Sequence, residues 1–222
     1  MVASRPLTAL FAALLLLAAP SRVAPAGHCL TVEDFSKGKV GEFPPGWKPR
    51  KEAGRAMYSI RERNGLRFLH AAARGLGIQA ALPHDWDLHA YPVLAWSWRP
   101  IELPAGADER NAKTNDSALA VYAVFPHTPW SVKSLKYVWS AAAPVGAHLT
   151  SSAGLTQALI RRSGTAGKGE WIEERVNVLD DYRKYFGDTD APKPAGIAVL
   201  TDSDDTGSSA QGDYADFRVC KS

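Results

Sequence analysis

The sequence predicts an all-β fold: a single-domain β-sandwich of jelly-roll (lectin- or glucanase-like) type with one short helix. Three observations carry this. About eleven short runs rich in Val, Leu, Ile, Tyr and Trp alternate with turn residues, the spacing expected of two packed antiparallel sheets. Only the segment 180–186 has helical character. Two cysteines, Cys29 and Cys220, bracket the strand-rich region, where a bond between them would make the first and last strands neighbours.

The expected strands are 31–35, 58–63, 66–72, 77–82, 93–99, 118–125, 135–140, 155–160, 173–179, 196–201 and 214–219. Asn64-Gly65 separates two of them, and both residues tolerate the positive φ of a tight hairpin turn. Pro44-Pro45-Gly46, Pro104-Ala105-Gly106 and Gly164 to Gly169 mark loops. Asp180 is the expected helix cap and Gly187 the expected stop. The two-residue period of a strand then sorts side chains by face. Leu94, Trp96 and Trp98 share one face, and Ser97 and Arg99 the other. Leu135, Tyr137 and Trp139 oppose Lys136, Val138 and Ser140. Val176 and Val178 point inward, while Glu173, Arg175 and Asn177 point outward. Trp96 and Trp98 therefore belong to the core. Trp47 and Trp130, beside Pro and Gly residues, are the tryptophans expected at the surface.

The first residues read as a removable leader. Arg5 supplies a positive start, Leu7 to Ala19 an apolar stretch too short to span a bilayer comfortably, and Ala24-Pro25-Ala26 a small-residue cleavage site. The expected organisation is a signal peptide over 1–26, cut after Ala26, and one β-sandwich domain over 27–222. The expected location is the periplasm or the outside of the cell, with no integral membrane segment in the mature chain. Losing Arg5 and Arg22 removes two positive charges from a formal net charge of +3. The nearly neutral remainder gives no electrostatic argument for nucleic acid, and no nucleic-acid partner is expected. In an oxidising compartment Cys29 and Cys220 are expected to pair. So long a loop would stabilise the fold by roughly 4–5 kcal/mol in the chain-entropy picture.

Chemistry concentrates in Thr201-Asp202-Ser203-Asp204-Asp205-Thr206-Gly207. Counted as a calcium loop, Asp202, Asp204, Thr206, Gly207 and Asp213 fall at positions one, three, five, six and twelve. Asp202, Asp204 and Asp213 are thus the candidate metal ligands. The closing residue is Asp rather than the longer Glu, and the flanks are strands, so this is no EF-hand. A tight turn held by Asp side chains and Gly207 is the competing reading. Calcium is the one cofactor this loop suits; no other is expected. A second set, Arg99, Arg175 and Asn177 with Asp116, would line one sheet surface if its strands adjoin. Arginine forks recognise carboxylates and sulfates bidentately, so acidic sugars are plausible ligands. Tyr137 or Trp47 would supply an aromatic face for a sugar ring. The chain has no Gly-x-Ser-x-Gly elbow, no phosphate-binding Gly loop with Lys and no paired zinc spacing. Glu173 and Glu174 point to opposite faces, which rules them out as a retaining glycosidase pair.

Several motifs in order carry a family resemblance. They are Phe43-Pro-Pro-Gly-Trp47, Tyr91-Pro-Val-Leu-Ala-Trp-Ser-Trp-Arg99, Asn115-Asp116, Tyr137-Val-Trp-Ser140, Arg175-Val-Asn-Val-Leu-Asp-Asp-Tyr182, Phe186-Gly187 and Thr201 to Gly207. Together they resemble the bacterial family called domain of unknown function 3047. The resemblance covers nearly all of the chain after the leader. It implies an exported β-sandwich and no established activity. The leading expectation is a non-catalytic module binding a polysaccharide or another polar ligand through Arg99, Asp116, Tyr137, Arg175 and Asn177. The alternatives are a polysaccharide hydrolase or lyase using Asp202, Asp116 or Tyr182, and a structural envelope protein.

Overall fold

The computed structural model describes residues 28–222, so the leader expected over 1–26 lies outside the described residues. Among the described residues, thirteen strands form two sheets, with one short α-helix. The strands are β1 (Cys29–Glu33), β2 (Lys48–Pro49), β3 (Tyr58–Arg63), β4 (Leu66–Arg74), β5 (Ala80–Pro83), β6 (Val93–Glu102) and β7 (Leu119–Thr128). They continue as β8 (Ser131–Ser140), β9 (His148–Ser151), β10 (Thr156–Ser163), β11 (Ile172–Asn177), β12 (Gly196–Leu200) and β13 (Ser209–Cys220). One sheet has the order β11-β6-β13-β4-β3, with β1 also on β13. The other runs β2-β5-β12-β7-β8-β10-β9. All pairings are antiparallel except β8 with β10. This is the all-β sandwich of jelly-roll type that the run of short strands predicts.

The alternation read from the sequence sets the layers. Trp96 and Trp98 point inward from β6, and Tyr137 and Trp139 point inward from β8. They meet edge-on or tilted across the sandwich: Trp96 to Tyr137 at 5.7 Å and Trp98 to Trp139 at 5.6 Å between ring centroids. Such geometry suits the ring quadrupoles, and burying rings of this size dominates the apolar stabilisation. At one sheet edge a carboxylate ties the layers together. Glu174 on β11 accepts hydrogen bonds from Arg161 and Arg162 on β10. Tyr214 on β13 does the same from the middle. Its hydroxyl donates to Leu200 O at 2.7 Å and bonds Thr201 Oγ1 at 2.9 Å, which anchors the start of the acidic loop.

The chain ends close as expected. Cys29 and Cys220 face each other in register on β1 and β13 and form a disulfide. Asn64 and Gly65 take φ of 53° and 77° in the β3–β4 turn. The helix differs at its start. It is α1 (Val178–Phe186), capped by Asn177, whose side chain accepts from Asp180 N at 3.1 Å. Asn177 ends β11 here, so the strand expected to reach residue 179 stops early and the cap is Asn177 rather than Asp180. The helix does end at Gly187 in a left-handed conformation. The two edge strands β2 and β9 were not foreseen; they hold two and four residues, too few for a period to register.

Candidate functional site

The outer face of the seven-stranded sheet is not an ordinary wet surface. Ala120 and Tyr122 of β7, Val138 of β8, Ala158 and Ile160 of β10, and Ala198 and Leu200 of β12 form a second buried apolar cluster there. Beside this cluster lies a cleft of about 480 Å³. Tyr122, Ser134 and Lys136 contribute its floor, Arg50 and Gln79 come from around β2 and β5, and Asp202 stands at the acidic loop. These side chains offer donors, acceptors and one ring face from separate elements fixed by the sheet.

Lys136 is the least expected member. It points outward from β8, yet it is only 7 % exposed. Its ammonium donates to Ser117 Oγ at 3.0 Å and lies 5.9 Å from the Tyr122 ring. Among the described residues no carboxylate is paired with it at salt-bridge distance. Burial pulls the Lys136 ammonium towards deprotonation, but Tyr122, Glu109 and Asp202 around it outweigh that and keep its pKa above the ordinary lysine value. Asp202 shows the opposite sign for a carboxylate. Burial, with the neighbouring Asp204 carboxyl next, pushes its pKa up to about 8, so it holds its proton at neutral pH.

The acidic loop is positioned by its neighbours. Asp202 N donates to Ser117 O, and Ser203 N to Leu76 O. Gly77 passes so close that a Cβ there would overlap Asp202 Oδ1 and approach Asp204 Oδ1 to 2.7 Å. Only glycine allows that approach. Asp116 is fully buried and organises the far side of the loop, accepting from Asp205 N at 3.1 Å, Thr206 N at 2.8 Å and Thr206 Oγ1 at 2.5 Å. Asp116, Asp204 and Asp205 each present an oxygen within 4.8 Å of the others, a cluster of hard donors.

The candidate residues from the sequence scatter around this centre. Asp202 and Asp204 lie in the loop, but Asp213 does not join them. It projects from the outer face of the other sheet, where Oδ1 meets His70 Nδ1 and Oδ2 accepts twice from Arg99. The twelve-residue count assumed a loop that continues past Gly207, whereas β13 begins at Ser209. Arg99 and Arg175 do share one sheet face, on the adjoining strands β6 and β11. Arg99 is held by Asp213 and covers Trp171 at 4.7 Å and Phe68 at 5.4 Å, and Arg175 lies beside Glu173 at 3.6 Å. Asn177 is occupied as the helix cap. Asp116 belongs to the acidic loop, not to that face. Tyr137 is a core residue with no exposed surface, its hydroxyl donating to Asp181 Oδ2 at 3.0 Å. Trp47 is buried as well, against Phe35 and Phe217, with Nε1 donating to Glu33 Oε2; the Pro-Pro-Gly turn folds it inward rather than displaying it. Trp130, 95 % exposed at the β7–β8 turn, is where the sequence puts it.

Lys136, Tyr122, Gln79 and Arg50 were not singled out by sequence. The one signal is the stretch Ser134-x-Lys136-x-Val138-x-Ser140 opposite a fully apolar face: a lysine central on a strand whose outer neighbours are small. That the face is covered depends on Ala143, Ala147 and Leu149 just after β8 and on the loops that carry Ser117 and Asp202.

Comparison with solved structures returns other sandwiches at low identity. The family 11 carbohydrate-binding module of a Clostridium thermocellum cellulosomal cellulase has a TM-score of 0.47 at 9 % identity, over 89 % of this chain and 96 % of that one. Endoglucanase 3 of Trichoderma harzianum, from glycoside hydrolase family 12, has a TM-score of 0.43 at 11 % identity, over 89 % of this chain and 98 % of that one. No curated protein matches the chain. A protein-family profile, by contrast, matches residues 45–218, and the chain belongs to that family, DUF3047, described as proteins of unknown function.

Proposed function

We propose that the protein is an exported, non-catalytic β-sandwich that binds a glycan in the cleft on the outer face of its seven-stranded sheet. The observation that carries this is Lys136: a buried ammonium facing the cleft with a hydroxyl partner and, among the described residues, no carboxylate at salt-bridge distance. Tyr122, Glu109 and Asp202 around it keep the ammonium charged, so it can donate to an acceptor that enters the cleft. Around it, Tyr122, Gln79, Arg50 and Ser134 offer the mixture of donors, acceptors and apolar surface that a polyhydroxylated ring requires. A glycan array tests the reading. Binding that is lost in Lys136→Met and Tyr122→Ala variants of unchanged melting temperature supports it. Binding untouched by both removes it.

A second reading has one observation in its favour. Asp202 lines the cleft and holds a proton at neutral pH, as a general acid must. Among the described residues it is the only carboxylate that lines that cleft, so they offer no second one there as the base or nucleophile a hydrolase also needs. Release of reducing ends or of unsaturated products from any glycan that binds, abolished in Asp202→Asn, would establish the enzyme. The calcium expected of the acidic loop is tested separately. A melting temperature higher in Ca²⁺ than in EDTA, with the difference lost in Asp204→Ala, supports it, and equal values dispose of it.

A further inference from the structure

The cleft draws a residue from, or next to, every strand of the seven-stranded sheet. At one side Arg50 follows β2 and Gln79 precedes β5, and Arg50 N donates to Gln79 O at 2.9 Å. Ala80, the next residue, pairs with Val199, and Leu200 then ends β12 in the cleft. Leu200 pairs with Ala120 of β7, and two residues along that strand Tyr122 pairs with Lys136 of β8. Ser134 of β8 pairs with Thr156 of β10, and Thr156 with Ser151 at the end of β9. These registers set the lining side chains in one oblique row across the whole outer face. Seven strands leave six gaps between them, which at about 4.8 Å each make a row of roughly 29 Å.

Exposure changes along the row. Tyr122, Ser134, Lys136 and Leu200 in the middle are buried, whereas Arg50 at one end and Ser151 at the other are exposed. The cleft is therefore a groove, deep at its centre and open to solvent at both ends. Its far rim is tied down as the near one is: Ser134 N donates to Leu155 O at 2.8 Å, and Gln157 Nε2 to Gly154 O at 2.9 Å. A groove fixed in advance binds at little ordering cost. Uncharged hydroxyl and amide side chains form the largest class in its lining: Gln79, Asn115, Ser134, Ser151, Ser152 and Thr156. Such groups pair with sugar hydroxyls, which donate and accept alike. A pyranose ring is about as long as one strand spacing, so a row of this length takes a chain on the order of five rings. We infer that the groove holds an internal stretch of a linear polysaccharide, laid across the strands, rather than a single sugar or a chain end. This rests on glycan binding in the cleft and names the class of glycan bound. A chain longer than the row leaves the groove past Arg50 on one side and Ser151 on the other.

The test is calorimetric titration with oligosaccharide ladders of one to six residues, cut from cellulose, xylan, mannan and any other linear glycan that the array finds. Each hexasaccharide is also tested after reduction of its end residue. Affinity that climbs at least about hundredfold from disaccharide to hexasaccharide, and that end reduction leaves unchanged, supports the groove. Affinity already complete at one or two residues, or lost on end reduction, overturns it and leaves the proposed function standing. Array hits confined to branched glycans do the same. No binding to any glycan, on the array or in the ladders, removes both. Arg50→Ala and Thr156→Ala add an arm from the two ends of the row. Each should weaken the hexasaccharide at least about fivefold, the worth of one hydrogen bond, and leave the shortest ligand that binds at wild-type affinity. Equal losses for the two ligands, or no loss for either, overturn the groove. The wild-type ladders decide alone if a variant fails to fold.

Discussion

Arg99 and Asp213 face each other across β6 and β13, and the guanidinium donates twice to Asp213 Oδ2, from Nε at 2.8 Å and from Nη2 at 2.6 Å. His70 reaches the other oxygen from β4 at 2.7 Å. One carboxylate thus joins three adjacent strands on the outer face of the six-stranded sheet. Arg99, read from the sequence as a free ligand-binding fork, spends its donors inside the fold.

The first prediction concerns that cluster. Asp213→Ala leaves the Arg99 guanidinium and His70 without their acceptor on a face where both are largely buried. Removing one partner of such a pair costs about 3 kcal/mol. Urea melts should show that loss of stability. Glycan affinity should stay at the wild-type level, because the cleft is on the other sheet. A loss of affinity without loss of stability would move the binding site to the Arg99 face.

The disulfide gives the second. Cys29 and Cys220 lie 191 residues apart in sequence, and their bond closes almost the whole described chain. In the chain-entropy picture so long a loop contributes roughly 5 kcal/mol, nearly all of it by restricting the unfolded chain. The Cys29→Ser, Cys220→Ser double variant should therefore melt roughly 10–20 °C lower than the oxidised protein. Reductant should shift the melting temperature of the wild type alone.

Gly77 supports the third. It passes the acidic loop at a distance that no side chain permits, with Asp202 Oδ1 and Asp204 Oδ1 in the way. Gly77→Ala must push the loop away from the cleft. Both a lower melting temperature and a weaker glycan affinity should follow, whereas Gly75→Ala nearby, with open space around its missing Cβ, should affect stability only through its positive φ.

What the sequence made legible, and what it did not, follows one physical division. The two-residue period sorted Trp96 and Trp98 into the core and grouped Leu135, Tyr137 and Trp139 on one face, because strand alternation is a local property, but it did not say that this face is the buried one, and Tyr137, expected at a ligand, lies in the core. The same period placed Lys136 outward, but outward does not mean exposed. Its burial depends on Glu109, Asn115 and Ser117 of the β6–β7 loop, on residues 149–151 and on Asp202 of the acidic loop, and such tertiary coverage leaves no periodic trace. The calcium count failed at Asp213 for a related reason. Spacing along the chain does not report that β13 starts at Ser209 and carries Asp213 to the opposite sheet. Trp47 went inward because a turn sets the direction of the next side chain, which composition does not encode.

The last prediction is the dependence of stability on pH. Burial raises the Glu109 pKa above its ordinary 4.5, against the hydroxyls of Ser140 and Ser117 and the Lys136 charge, which pull it down. A carboxylate raised on folding binds its proton more tightly in the folded state. Its contribution to stability is therefore complete below pH 4.5 and is lost as pH rises through the higher folded value. Asp202, pushed up to about 8 by burial and the Asp204 carboxyl, has the same sign over a wider window, from 3.8 to about 8. Melting temperature, followed from acetate to neutral buffers, should therefore fall less steeply with pH in Asp202→Asn than in the wild type, and Glu109→Gln should remove a smaller part of the slope. An Asp202→Asn variant that keeps the wild-type slope would assign it to other carboxyls, with Asp181 beside Tyr137 the next to replace, since burial raises its pKa too.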